Sequence, residues 1–292
     1  MPLNGWVAAG GVEEFSRTTV PVLAAEPVRN TLLLTVFDRL RTEGPHAFGE
    51  RDPQLLTWYD AGSATGALLR TPPYTFVLSD VPTASIEGLV DLILAPGSEL
   101  DGREINLPAS LETPFADAWA ARTGNKPRVL ERFRLYRLDG LVAPEPAPVG
   151  EPRQAAEQDV QLLAEWIAAF WDEVEHAAPH GGRPAALRMA EARVHEGIFR
   201  LWLDGSGTPV AFAGHTPVTA GMSRIGPVYT PPKLRGKGYA AGATTAATRA
   251  ALELGAGEVL LFTDLANPVS NRLYQRLGYR PVSDRARLEF TG

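Results

Sequence analysis

Apolar positions in residues 159–176, DVQLLAEWIAAFWDEVEH, recur at helical spacing and predict an amphipathic helix. A second helix is predicted over PAALRMAEARVHEG, opened by Pro184 at a first-turn position. The rhythm then shortens: IFRLWLD, PVAFAGHTPV and SRIGPVYT have strand length and apolar character, the first two joined by the turn Gly205-Ser206-Gly207. GYAAGATTAATRAALEL predicts an alanine-rich helix that stops near Gly255. EVLLFTD reads as a buried strand, NPVSNRLYQRL as a helix and RARLEF as a closing strand. The order α-α-β-β-β-α-β-α-β implies a mixed α/β sheet with helices on its faces.

The first half of the chain repeats this plan. LTWYDAGSATGALLRTPP (56–73) is similar to LWLDGSGTPVAFAGHTPV (201–218): each has a Trp, an Asp two positions later, a Gly/Ser turn and a second apolar strand ending near Thr-Pro. FADAWAARTGNKPRVLERFRLYRL (115–138) parallels SNRLYQRLGYRPVSDRARLEF (270–290), in which an aromatic-bearing helix reaches Gly124 or Gly278 before a closing strand. Two matches in the same order at similar spacing suggest a tandem duplication. Residues 140–153, GLVAPEPAPVGEPR, are proline-rich without apolar periodicity and read as a linker. The expected division is 1–142, a linker over 143–153, and 154–292.

Composition narrows the function. The 292 residues are 45% hydrophobic and 21% charged, enough to bury a core. A net charge of −6 argues against general nucleic-acid binding, because no broad basic surface displaces counterions. No cysteine is present, which excludes disulfides, thiolate nucleophiles and cysteine zinc sites and permits a reducing cytoplasm, the expected location. The start, MPLNGWVAAGGVEEF, does not read as a signal peptide, and stretches such as TLLLTVF are too short to span a bilayer. The histidines are scattered, without the spacing of paired metal ligands, and no metal is expected.

Against this acidic background, lysine occurs only at Lys126, Lys233 and Lys237. Lys233, Arg235 and Lys237 flank Gly236 and Gly238 at the start of the alanine-rich helix. Glycines let backbone N–H groups approach a ligand, and a helix start adds unpaired N–H groups with partial positive charge. Such a loop suits an anion, usually phosphate; the competing reading is a solvated basic turn. Gly236-x-Gly238-x-x-Ala241 also fits a dinucleotide fingerprint with Asp264 as ribose acid, but the upstream hairpins lack the βαβ context.

Arg235-x-x-Gly238-x-Ala240 resembles the signature of the GNAT acetyltransferase superfamily. Downstream, Asn267-Pro-Val-Ser270-Asn-Arg-Leu273-Tyr274-Gln-Arg-Leu-Gly278-Tyr279 is similar to the family's Asn…Leu-Tyr-x-x-x-Gly-aromatic segment. The resemblance covers about 153–290 and implies acetyl-CoA as co-substrate. It implies that Val228, Tyr229 and Thr230 pair with the pantetheine arm through their backbone. The loop Arg235, Gly236, Lys237, Gly238, Tyr239 and Ala240 would hold the pyrophosphate, and Asn267 and Ser270 would contact the cofactor. Asn267 is equally suited to an N-cap. Tyr274 would protonate or hydrogen-bond the departing thiolate, against the plainer reading of core packing. The acceptor amine would attack the thioester directly, with an N–H in a gap between GPVYT and EVLLFTD stabilising the oxyanion. The strand SRIGPVYT has no carboxylate to act as base, leaving His215 on the neighbouring strand as a candidate and Asp264 as a second; a lone strand histidine is otherwise a packing residue. Carboxylates beside aromatic rings in Phe170-Trp171-Asp172-Glu173-Val174-Glu175-His176 would suit a cationic acceptor, or form a solvated acidic helix end.

In the first half, DVPTASIEGLVDLIL stands where the basic loop should follow YTFVLS, and Asp80 sets negative charge there. The expectation is two tandem GNAT-like domains, each a mostly antiparallel twisted sheet flanked by helices, the first without its cofactor. The second would be an N-acetyltransferase acting on a small-molecule or peptide amine, as monomer or homodimer; the alternative is a non-catalytic acyl-CoA sensor.

Overall fold

A computed structural model describes residues 4–174 and 182–291. The first half runs β1 (Gly5–Ala8), α1 (Val12–Thr18), α2 (Val20–Ala25), α3 (Thr31–Glu43), β2 (Gln54–Asp60), β3 (Ser63–Arg70), β4 (Phe76–Leu78), α4 (Ser85–Leu94), β5 (Glu104–Pro108), α5 (Glu112–Thr123) and β6 (Arg128–Leu138). The second runs β7 (Glu151–Gln154), α6 (Val160–Val174), α7 (Gly182–His195), β8 (Arg200–Leu203), β9 (Pro209–His215), β10 (Met222–Tyr229), α8 (Tyr239–Glu253), β11 (Glu258–Asp264), α9 (Pro268–Arg276) and β12 (Tyr279–Glu289). From the Trp-bearing hairpin onward both halves follow one order, as the repeats predict; before it the first half has three helices and the second has two. The predicted sequence of elements over 159–290 is observed, and the mixed sheet is mostly antiparallel with helices against it.

The chain forms two compact units: 1–135 with 263–266 and 282–292, and 136–262 with 267–281. These are not the contiguous halves that a cut at 143–153 would make. The reason lies in the last strand, where residues 285–289 of β12 pair antiparallel with 104–108 of β5. The proline-rich stretch is also more ordered than a linker reading suggests. Glu151–Gln154 form an edge strand on β8, where Pro152 is tolerated because an edge leaves some backbone groups without ladder partners. Gly140 and Val142 lie against Gly278, and the Val142 N–H donates to Leu277 O at 3.0 Å.

In unit 1 the sheet order is β1-β2-β3-β4-β5-β12-β6, with β6 belonging to this unit as far as Leu135. Its core gathers Leu68, Phe76, Leu89, Val90, Ile105, Phe115, Trp119 and Phe290. The aromatic members pack tightly, with Trp119 and Phe290 ring centroids 4.4 Å apart. Burying such rings supplies a large share of a small domain's stability.

In unit 2 the order is β7-β8-β9-β10-β11. Side chains alternate across β9, so Ala211 and Ala213 face α8 and α9 while Phe212 faces α6 and α7. Alanine lets α8 approach the sheet closely: Ala243, Ala247 and Ala251 are fully buried against it. At Gly242 no Cβ fits, since one would lie 2.6 Å from the Trp202 ring. The two predicted Trp-Asp hairpins are β2–β3 and β8–β9, and each shifts register immediately after its tryptophan, at Trp58/Tyr59 and Trp202/Leu203.

Candidate acyl-coenzyme A site

β10 and β11 run parallel from Met222–Glu258 to Ile225–Leu261, and their ladder ends there. β10 continues to Tyr229, bulging against β9 between Ile225 and Val228. Gly226 and Pro227 fill the bulge; Pro227 has no N–H for a ladder, which is why the break falls here. The strand edge of Val228 and Tyr229 is thus left without β11 as a partner, as the predicted gap requires. Thr230 follows, buried, with an Oγ1 that has no hydrogen-bond partner among the described residues.

The basic loop comes next. Gly236 and Gly238 have φ of 80° and 81°, left-handed values that disfavour any side chain. Gly238 is the N-cap of α8 and supplies no side-chain cap, so the first-turn N–H groups of Tyr239 and Ala240 lack a capping side chain. A Cβ at Gly236 would meet open space, leaving room for a ligand. Lys237 sits close enough to Asp204 to help hold that carboxyl below its usual range, behind the larger effect of hydrogen bonds from Ser206. Arg235 donates from Nε to Thr230 O at 2.9 Å and from Nη2 to Glu173 Oε2 at 2.5 Å. Cationic side chains, an uncapped helix start and an unpaired strand edge fit the pyrophosphate and amide-bearing arm of an acyl-CoA.

Tyr274, on α9, belongs to the same core as Ile225, Val228 and Leu261. Its ring meets Tyr279 edge-on at 6.2 Å, and burial raises its hydroxyl pKa to about 12. It therefore remains a proton donor at neutral pH. Asn267 is the N-cap of α9, its Oδ1 accepting from Ser270 N at 3.1 Å. The capping role is thus filled, while its Nδ2 and the exposed face of Ser270 stay at the start of α9. Asp264 accepts from the Ala266 N–H at 2.8 Å.

His215 lies on β9, opposite Ile225, so β10 stands between it and the gap. It is 3% exposed; Nδ1 is 3.1 Å from Thr216 O and Nε2 has no partner among the described residues. Burial lowers its pKa, with Arg200 and Arg193 adding to the effect, and its neutral form is favoured. Of the acidic stretch at the end of α6, Glu173 reaches the loop, whereas Glu175 and His176 lie outside the described residues.

Two features escaped sequence reasoning. Tyr136 on β6 donates to Asn271 Oδ1 at 2.9 Å and accepts from Gln275 Nε2 at 3.0 Å, fixing α9 and so Tyr274. The Gly226-Pro227 bulge also went unread, although Gly-Pro inside a strand pattern is a signal for one. A surface hollow of 440 Å³ on α9, lined by Val269, Arg272, Gln275 and Arg276, holds none of the residues assigned to chemistry.

A parallel pair that opens beside an uncapped, cation-bearing helix start has the features that an acyl-CoA would need. Residues 161–279 match the model of the Acetyltransferase (GNAT) family, and the chain carries a GNAT acetyltransferase domain over that span. Solved structures share the fold over nearly the whole chain. A GCN5-related N-acetyltransferase from Sphaerobacter thermophilus is 17% identical, with TM-score 0.64 and coverage of 99% of this chain and 96% of its own. A GNAT-family acetyltransferase from Colwellia psychrerythraea is 12% identical, with TM-score 0.57, covering 98% and 99%. A tandem GNAT protein from the clavulanic acid biosynthesis pathway is 13% identical, with TM-score 0.53, covering 97% of each. No curated protein matches the sequence. The family uses acetyl-CoA as acyl donor, and its acceptors are small molecules or peptides. No helix among the described residues is long and apolar enough to cross a membrane, and no three His, Asp or Glu there are grouped to hold a metal.

Proposed function

We propose that unit 2 moves the acetyl group of acetyl-CoA to a primary amine by direct attack on the thioester. The observation that carries this reading is the end of the β10–β11 ladder at Ile225–Leu261, beside the loop with left-handed Gly236 and Gly238. Val228, Tyr229 and Thr230 would pair with the pantetheine amides in the place β11 leaves open, as an added strand does. The N–H groups from Gly236 to Ala240, with Lys233, Lys237 and the positive end of α8, would hold the pyrophosphate. Asn267 and Ser270 would touch the arm from the start of α9.

Acetyl-CoA supplies an activated carbonyl and a thiolate leaving group. Tyr274 is assigned to that thiolate: buried and protonated, it can donate a hydrogen bond or its proton. The attacking ammonium must first lose a proton. His215 is neutral enough to accept it, but with β10 in between it would act through a water relay.

The test is calorimetric titration with acetyl-CoA, with NADPH as control. Micromolar binding of one acetyl-CoA per chain, with NADPH inert, is expected. Arg235→Glu should weaken binding by roughly 30-fold or more, since it sets a carboxylate beside the phosphate site. Absence of acetyl-CoA binding by the unaltered protein would sink the reading.

A further inference from the structure

We propose that Arg235 and Glu173 form a clamp that fastens the cofactor loop to the end of α6, making Glu173 a positioning residue for acyl-CoA. The inference rests on the acyl-CoA reading of unit 2. Arg235 is held on three sides: Nε by Thr230 O, Nη2 by Glu173 Oε2, and the guanidinium carbon 5.8 Å from the Tyr229 ring centre. Glu173 Oε1 in turn accepts from Tyr229 Oη at 3.4 Å. Burial raises the Tyr229 pKa, with the Glu173 charge adding to it, so this phenol stays a donor.

The partners of Arg235 belong to one side of the sheet. Tyr229 packs in the core formed with α6 and α7, and Glu173 is on α6 itself. α8, whose N-terminus would meet the phosphates, packs on the opposite face with Ala211 and Ala213. The guanidinium is therefore committed to the α6 face, and phosphate recognition falls to the backbone N–H groups and the two lysines.

Gly236 and Gly238 have no side chains to anchor the loop between them. A site built from backbone N–H groups binds well only if those groups are in place before the ligand arrives. Arg235 supplies the missing anchor immediately before the glycines. The ion pair is 48% and 39% exposed at its two side chains, so the carboxylate alone contributes modestly to folding. Its effect on cofactor affinity is larger because it sets the position of every donor downstream.

The sign of one substitution separates this from the obvious alternative. Were Arg235 a phosphate ligand, Glu173 would compete with the pyrophosphate, and Glu173→Gln would tighten acetyl-CoA binding. The clamp predicts the reverse: Glu173→Gln weakens binding roughly five-fold, and Arg235→Gln with Glu173→Gln together do no worse than Arg235→Gln alone. Arg235→Lys, which keeps the charge but lacks the rigid planar fork whose Nε and Nη2 meet Thr230 O and Glu173, should weaken binding like Glu173→Gln. The experiment is calorimetry with acetyl-CoA on the full chain and these four variants, each first shown to melt like the parent. Tighter or unchanged binding by Glu173→Gln, additive losses in the double variant, or parental affinity in Arg235→Lys would overturn the clamp. Failure of the parent to bind acetyl-CoA would instead remove the functional reading beneath it.

Discussion

In unit 1 the parallel pair β4–β5 joins Phe76 to Ile105 and Val77 to Asn106, and a buried arginine closes its end. Arg285, from β12, donates to Leu78 O at 2.7 Å, to Asn106 Oδ1 at 2.7 Å and to Asn106 O at 3.1 Å, tying β4 to β5. In unit 2 the corresponding pair, β10–β11, parts after Ile225–Leu261 and Thr230 Oγ1 is left unpaired among the described residues. The segments that follow differ too. Unit 1 continues through Asp80 into α4, with Glu87 in its first turn. Unit 2 continues through Arg235, two left-handed glycines and Lys237 into α8, which has no acid in its first turn. One strand plan is therefore tied shut in one place and left open beside a basic, glycine-bearing loop in the other. A handful of polar side chains decides which.

The sharpest way to break this comparison is to remove the seal. Arg285 is 5% exposed, and desolvation lowers its pKa to about 10. Arg285→Met should destabilise the protein by about 2–4 kcal/mol in urea unfolding, because one buried and two part-buried acceptors lose their donor. Acetyl-CoA should still bind once per chain, since opening the strands adds neither glycines nor cations to unit 1. A second equivalent would mean that Arg285 alone had silenced the first copy.

A second test addresses the helices after the strand pairs. In α5 of unit 1, Trp119 is 2% exposed and packs on Phe290, whereas α9 of unit 2 presents a phenol, Tyr274, near the gap. Tyr274→Phe should lower kcat for acetyl transfer to an amine by roughly 10- to 100-fold with little change in the KM for acetyl-CoA. Equal turnover would return Tyr274 to the packing role that Trp119 plays.

The smallest effect concerns His215. Its folded pKa is depressed below 6.5, so the unfolded chain binds more protons as pH falls. Stability from this residue is present above pH 6.5 and is lost as pH drops through the folded value. His215→Asn should flatten the decline in urea midpoint between pH 7 and pH 5. If the same substitution leaves acetyl transfer and its pH profile unchanged, His215 is a packing residue and solvent takes the proton.

Much of this was legible because it is local. EVLLFTD and the helix of the alanine-rich run came directly from apolar spacing and glycine stops, and the site loop from its concentration of cations and glycines. β7 was not, since an edge strand of four residues containing Pro152 has no apolar rhythm to betray it. The destination of β12 was also invisible. RARLEF signals a strand, but its pairing with β5 depends on residues some 180 positions away, such as Asn106 facing Arg287.

The sequence by itself determined the duplicated element order, the place of the basic glycine loop and the residues of the Asn267–Tyr274 segment, because caps, turns and periodicity act over a few residues. Only the tertiary structure decided that Arg285 would close one strand pair, that the β10 bulge would open the other, and that Glu173 would hold Arg235. Those outcomes depend on side chains from distant segments meeting in a low-dielectric interior or at a loop edge, where one hydrogen bond satisfied or left open sets what the strand beside it can do.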